Sequence, residues 1–103
     1  MRYRVEFSPR AEQDVDDYIT HIADESKDLD VAARVLRRIM RATNGLNTFP
    51  RRCAKAPEDE LTDYEVRMLI VGSLLLLYNV NDDTRLVKIV AAPHGRQLPL
   101  TDL

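Results

Sequence analysis

The stretch Val66–Val80, "VRMLIVGSLLLLYNV", carries one charge, Arg67, at the head of an apolar run interrupted at Gly72 and Ser73. Successive residues of a strand point to opposite faces, so a strand covered on one side alternates apolar and polar residues. This run hardly alternates. Read as two strands meeting at Gly72-Ser73, it sends Leu74 and Leu76 one way and Leu75 and Leu77 the other. Both faces are apolar, and both need a cover. The run from Met68 to Val80 is too short for a bilayer, which takes about 20 apolar residues, and Ser73 and Asn79 interrupt it.

Working outward, "RLVKIVAA" (Arg85 to Ala92) reads as a third strand, separated from Leu74–Val80 by the turn Asn81-Asp82-Asp83 and ended by Pro93. By alternation Val87, Ile89 and Ala91 oppose Leu86, Lys88 and Val90, and Val66, Met68 and Ile70 oppose Arg67, Leu69 and Val71. Upstream, "RYRVEF" (Arg2 to Phe7) alternates cleanly, with Tyr3, Val5 and Phe7 on one face. Ser8 then suits an N-cap and Pro9 the first helical position. Ala11, Val15, Tyr18, Ile19, Ile22 and Ala23 follow at helical spacing, with Glu12, Asp14, Asp16 and Asp17 in the early turns, where the helix dipole favours anions. After a turn at Lys27–Asp30, Asp28 or Asp30 caps a second helix whose core stripe is Val31, Ala32, Val35, Leu36, Ile39, Met40, Thr43 and Leu46. Arg34, Arg37, Arg38 and Arg41 form its basic face. An acidic helix beside a basic one suggests a hairpin with complementary rims. Asn47 to Asp63, with Pro50 and Pro57, reads as loop.

The expected fold is therefore α+β in one domain spanning 1–103. It has an N-terminal strand, a two-helix antiparallel hairpin, then a three-stranded antiparallel meander, with the helices packed on one face of the sheet. The other face is expected to be a largely apolar contact surface made of Arg67, Leu69, Leu75, Leu77, Leu86, Lys88 and Val90, because exposed apolar patches of that size mark interaction sites. The competing cover is the tail, where Leu98, Pro99 and Leu100 can fold back.

Composition narrows the classes. With 15 Lys and Arg against 17 Asp and Glu, a net charge of -2 and a pI near 5.6, the chain lacks the overall basic excess of most nucleic-acid binders. The single cysteine, Cys53, allows neither an internal disulfide nor a cysteine metal cluster and fits a reducing cytoplasm. The opening "MRYRVEFSPR" is not expected to be a signal peptide, since charges stand at every second or third position. Nothing in the sequence calls for a metal or cofactor.

"YRVEFSPRAEQDVDDYITHIA", "LNTFPRR", "VRMLIVGSLLLLYNV" and "LVKIVAAPHGRQ", in that order, resemble the RelE/ParE toxin superfamily of type II toxin–antitoxin systems. The more specific marks are Ser8-Pro9 with Ala11, Phe49-Pro50, Arg67 ahead of Val71-Gly72, Tyr78, and His94-Gly95-Arg96. The resemblance implies a small cytoplasmic toxin neutralised by an antitoxin from the adjacent gene, of ribbon-helix-helix type, laid on its sheet and helices. The apolar second face and Arg96 would then serve partner binding. Within the superfamily the Ser-Pro helix start, the Val71-Gly72 turn and "HGRQ" are more similar to the ParE-like branch, the plasmid-stabilisation toxins, which bind DNA gyrase and trap its cleaved DNA complex without chemistry of their own. In the RelE-like alternative, a ribosome-dependent mRNA endoribonuclease, Arg67, His94 and Arg96 would be catalytic, with Arg67 clamping phosphate and His94 exchanging protons. From Tyr64 onward, however, four basic residues face four acids, so the lysine-rich patch of those nucleases has no counterpart. A third possibility is an antitoxin-binding homologue that has lost toxicity.

Overall fold

A computed structural model describes residues 2–94, 100, 102 and 103. In it β1 (Arg4–Phe7) leads into α1 (Pro9–Ser26) and α2 (Leu29–Asn44), followed by β2 (Arg67–Val71), β3 (Leu74–Asn81) and β4 (Leu86–Ala91). The sheet order is β1-β4-β3-β2. The three later strands form the antiparallel meander, and β1 lies parallel to β4, with Val5 beside Val87 and Phe7 beside Ile89.

Both helix starts follow their caps. The Ser8 hydroxyl accepts from the Ala11 amide at 3.0 Å with Pro9 in the first helical position, and the Asp28 carboxylate accepts from Asp30 at 2.9 Å. Lys27, in the left-handed region at φ 54°, ends α1 and lets the chain reverse. Gly72, at φ 62°, supplies the positive φ that a two-residue hairpin needs at its first turn position. The Asn81 side chain accepts from the amides of Asp83 and Thr84 to close the β3–β4 turn.

The helices cover one face of the sheet. Ala11, Val15, Tyr18 and Ile39 pack with Leu74, Leu76, Tyr78, Val80, Val87 and Ile89, flanked by Val5, Phe7 and Leu69. A second, smaller cluster lies on the opposite face, where Leu77, Val66, Ala56 and Ala91 are buried together with Met68, Val90, Leu100 and Leu103. Both faces of β3 are thus covered, the second one partly by the tail.

Three features depart from the sequence reading. The stretch read as loop, Asn47 to Asp63, contains two 3₁₀ turns, Pro50–Arg52 and Pro57–Leu61, and a third, Gly45–Asn47, runs into it from the end of α2. Its residues 54–56 also pair along the free edge of β2: the Met68 amide donates to Ala54, the Ala56 amide to Val66, and Lys55 bridges Arg67. Proline content hid this pairing, because the prolines sit just outside the paired residues. In β4, Leu77 pairs with Ala91 while its neighbour Tyr78 pairs with Ile89, so β4 carries a bulge at Val90. The bulge reverses the alternation, and Ala91 joins the second face while Ala92 returns to the helix side. Finally, no acid of α1 pairs with an arginine of α2 among the described residues; the complementary rims do not form.

Ser8 ties the bulge to the helix start, because its hydroxyl also donates to the Val90 carbonyl at 3.0 Å. Ser8→Ala removes the cap and leaves that carbonyl without its donor. A loss of about 1–2 kcal/mol is expected in urea unfolding.

Candidate partner interface

The sheet register divides the predicted interface. Leu75, Leu77, Leu86, Lys88 and Val90 lie on the second face, away from the helices. Leu77 is fully buried beneath the tail, Leu75, Leu86 and Val90 are half-buried, and Lys88 is exposed. Ile70, on the same side of β2 as Met68, is 60% exposed and marks where the cover ends. The tail is anchored by the Leu100 amide, which donates to Glu58 at 2.9 Å, and by Asp102, whose carboxylate lies 3.2 Å from Arg10.

Leu69 and Arg67 are corrections. Leu69 packs against the helix-side core, and alternation places Arg67 on that same side. The side chain of Arg67 is only 16% exposed and is fully engaged. It donates to both Glu65 oxygens, at 3.0 and 3.4 Å, and to the carbonyls of Cys53 (2.6 Å) and Arg51 (3.3 Å). Glu65 also binds Arg51, which reaches on to Asp82; Asp82 in turn accepts from the Tyr3 hydroxyl at 2.6 Å. Arg85 sits over the Tyr3 ring, 5.5 Å from its centre. This network fastens the 45–66 connection to the end of the sheet. Tyr78, expected in the core with its hydroxyl at a polar rim, is fully buried and donates to the Pro50 carbonyl at 2.6 Å. Burial above all, and then the neighbouring Cys53, push that hydroxyl far above the ordinary phenol range, so it stays a donor.

His94 lies at the other end of the sheet. It bridges Leu74, is exposed, and its ring sits 5.3 Å from Tyr18 and 6.1 Å from His21 of α1. Arg67 pairs with Tyr78 and His94 with Leu74. Those points are four steps apart along β3, about 13 Å at roughly 3.3 Å per residue. The structure therefore does not bring Arg67 and His94 together. Arg96, and with it Leu98 and Pro99, falls outside the described residues. Among the described residues no cluster of His, Cys, Asp or Glu could hold a metal ion, and no helix is long and apolar enough to cross a membrane.

A groove that the sequence reading assigned to the core opens between the helices. Phe7, Val15, Leu36 and Met40 line it, with Glu12 and Asp16 along the α1 side, around a cavity of about 260 Å³. Leu36 and Met40 are over a third exposed. The signal was present, since the apolar arc of α2 is wider than the arc a single sheet can bury. Reading that excess as core was the error.

The fold is a small α+β sheet covered by a helical hairpin, apolar on both sides and with an open apolar groove between the helices. The family model described as "ParE toxin of type II toxin-antitoxin system, parDE" matches residues 5–99, and the chain belongs to that family. The fold is similar to a chain of the chromosomal ParDE toxin–antitoxin system of P. aeruginosa, with TM-score 0.73 and 14% identity over 92% of this chain and 98% of that one. It is also similar to a chain of a RelBE toxin–antitoxin complex of Mycobacterium tuberculosis (TM-score 0.57, 23% identity, 94% and 95% covered). A third similar chain comes from the archaeal RelE–RelB complex of Pyrococcus horikoshii OT3 (TM-score 0.59, 18% identity, 94% and 100% covered). No curated protein sequence matches the chain significantly.

The network gives a pH dependence. Burial works against the Glu65 carboxylate, but Arg67 and then Arg51 outweigh it and hold its pKa below the ordinary value. A depressed folded pKa contributes stability that is present above the unfolded value, about 4.3, and is lost as pH falls through the folded one. Glu65→Gln should therefore unfold at lower urea than the parent at pH 7. The gap between them should close as the pH is lowered below about 4.

Proposed function

We propose that the chain is a ParE-type toxin acting in the cytoplasm as a single domain, inhibiting DNA gyrase by binding it, and held inactive by a cognate ribbon-helix-helix antitoxin encoded beside it. The family match over residues 5–99 carries this reading. The spatial organisation supports a binding toxin over a nuclease. Arg67 is consumed by Glu65 and two backbone carbonyls, and His94 stands at the opposite end of the sheet. A phosphodiester cleaver needs its phosphate clamp and its proton donor within reach of one scissile bond.

The antitoxin takes the groove between α1 and α2 with an amphipathic segment, its apolar side chains meeting Leu36 and Met40 and its cations meeting Glu12 and Asp16. A continuation of that chain reaches the open part of the second face at Ile70, Leu75 and Lys88.

Two outcomes check the reading. After tightly controlled induction, DNA synthesis should fall before protein synthesis, and purified toxin should block gyrase supercoiling. Cleavage of ribosome-bound message with gyrase untouched would reject it, and unimpaired growth would mark a non-toxic antitoxin binder. The double substitution Leu36→Glu, Met40→Glu should weaken antitoxin binding by at least 100-fold in titration calorimetry, the scale of two truncated anchor contacts. The unfolding transition should stay close to the parent's, because both side chains are already part exposed.

A further inference from the structure

Two groups stand out among the described arginines; Arg2, which is exposed, and Arg85, which lies over the Tyr3 ring, belong to neither. Arg4, Arg10, Arg51 and Arg67 each hold a carboxylate. Arg34, Arg37, Arg38, Arg41 and Arg52 are all exposed, and none forms an ion pair among the described residues. These five lie together. Arg34, Arg38, Arg41 and Gly45 stand at i, i+4, i+7 and i+11, one line along the outer face of α2, with Arg37 beside it. Gly45 has no side chain, and the guanidinium of Arg52 fills its place: Nη2 lies 2.6 Å from where a Cβ on residue 45 would be. Arg52 thus extends the row by the position that glycine leaves vacant, and the row runs about 16 Å at 1.5 Å per residue.

An aromatic platform continues it. Phe49 is 83% exposed and held at φ 49°, a conformation that bulky residues rarely adopt. With Pro50, Arg51, Arg52 and Tyr3 it lines a surface cavity of about 380 Å³. A row of cations leading to an exposed aromatic ring, here Phe49 with the half-buried Tyr3 beside it, is the arrangement that tracks a phosphodiester backbone and stacks a base. Acidic side chains would use the guanidiniums but offer no flat ring to Phe49, whereas every nucleotide carries one.

We infer that the outer face of α2, extended by Arg52 and ending at Phe49 and Tyr3, binds single-stranded DNA, the backbone running along the arginine row and a base stacking at Phe49. The choice of DNA rests on the gyrase reading, since a poison of a cleaved gyrase–DNA complex meets exposed strand there; the geometry itself asks for a nucleic-acid strand. The net charge of -2 keeps the affinity modest and salt-sensitive.

The test is fluorescence anisotropy of a labelled 20-nucleotide DNA strand with the 103-residue protein, from 50 to 200 mM salt. Binding that weakens with salt is expected. In Arg34→Gln, Arg38→Gln, Arg41→Gln, Arg52→Gln the slope of log affinity against log salt should shrink by about 3, at about 0.7 per phosphate contact. Phe49→Ala should weaken binding about 5- to 150-fold, the range for loss of one stacked base. No binding at 50 mM salt, or binding unchanged in the quadruple variant, would overturn the inference. So would equal affinity for a polyglutamate peptide, or tighter binding of RNA of the same sequence. Gyrase supercoiling is assayed in parallel with the same proteins. DNA binding without gyrase inhibition sustains the row and rejects the gyrase reading; gyrase inhibition without DNA binding rejects the row alone.

Discussion

Burial of β3 on both faces is the constraint to which the rest of the molecule answers. Leu74, Leu76, Tyr78 and Val80 need the helical hairpin above them; Leu77 needs something below. Among the described residues there are two α-helices to give, and both lie on one side. The lower side is closed by irregular chain instead, by Ala56 and Val66 from the connection and by Leu100 and Leu103 from the tail. That cover is incomplete, and Ile70 stays in solvent. Fully burying one Leu or Ile side chain is worth about 1.5–3 kcal/mol, so an apolar edge left open is a standing invitation to a partner. The same holds between the helices, where Leu36 and Met40 exceed what the sheet can bury.

The polar side chains divide the molecule into a fastened end and a free face. At the Arg67 end, every arginine side chain that meets Glu65 or Asp82 serves architecture: the cations hold the 45–66 connection against the sheet, and the buried Tyr78 hydroxyl pins Pro50 from inside. Bidentate geometry and low exposure make Arg67 a structural cation, well suited to hold backbone carbonyls and poorly placed to leave them. On α2 the opposite holds. Guanidiniums gathered without carboxylates repel one another and gain nothing for the fold, which directs attention to what they meet outside it. A protein of slightly acidic overall charge thus carries a locally basic face.

How far this was legible differs from element to element. Ser8-Pro9, the period of 3.6 in both helices, Gly72 and the Asn81 turn are local devices, and each acts within a few residues of itself; the helices and the meander followed from them. The face assigned to Arg67 and Leu69 did not. Alternation said only that Arg67, Leu69 and Val71 share a side. Which side is fixed by Leu69 meeting the helical core, a contact between elements far apart in the chain. The bulge at Val90 escaped for a related reason, since its extra residue is stabilised by the hydroxyl of Ser8, some eighty residues away.

What the sequence by itself determined was the order and type of the elements, the two-sided apolar character of β3 and the family pattern, because these depend on periodicity, turn chemistry and local caps. Only the tertiary structure decided that β1 runs parallel beside β4, that residues 54–56 close the edge of β2, that Arg67 and His94 stand at opposite ends of the sheet, and that Arg52 completes a row begun on α2. Each of these depends on one segment meeting another across a long stretch of chain. Pairing partner, packing face and side-chain reach are settled by that meeting, and the residues alone leave them open.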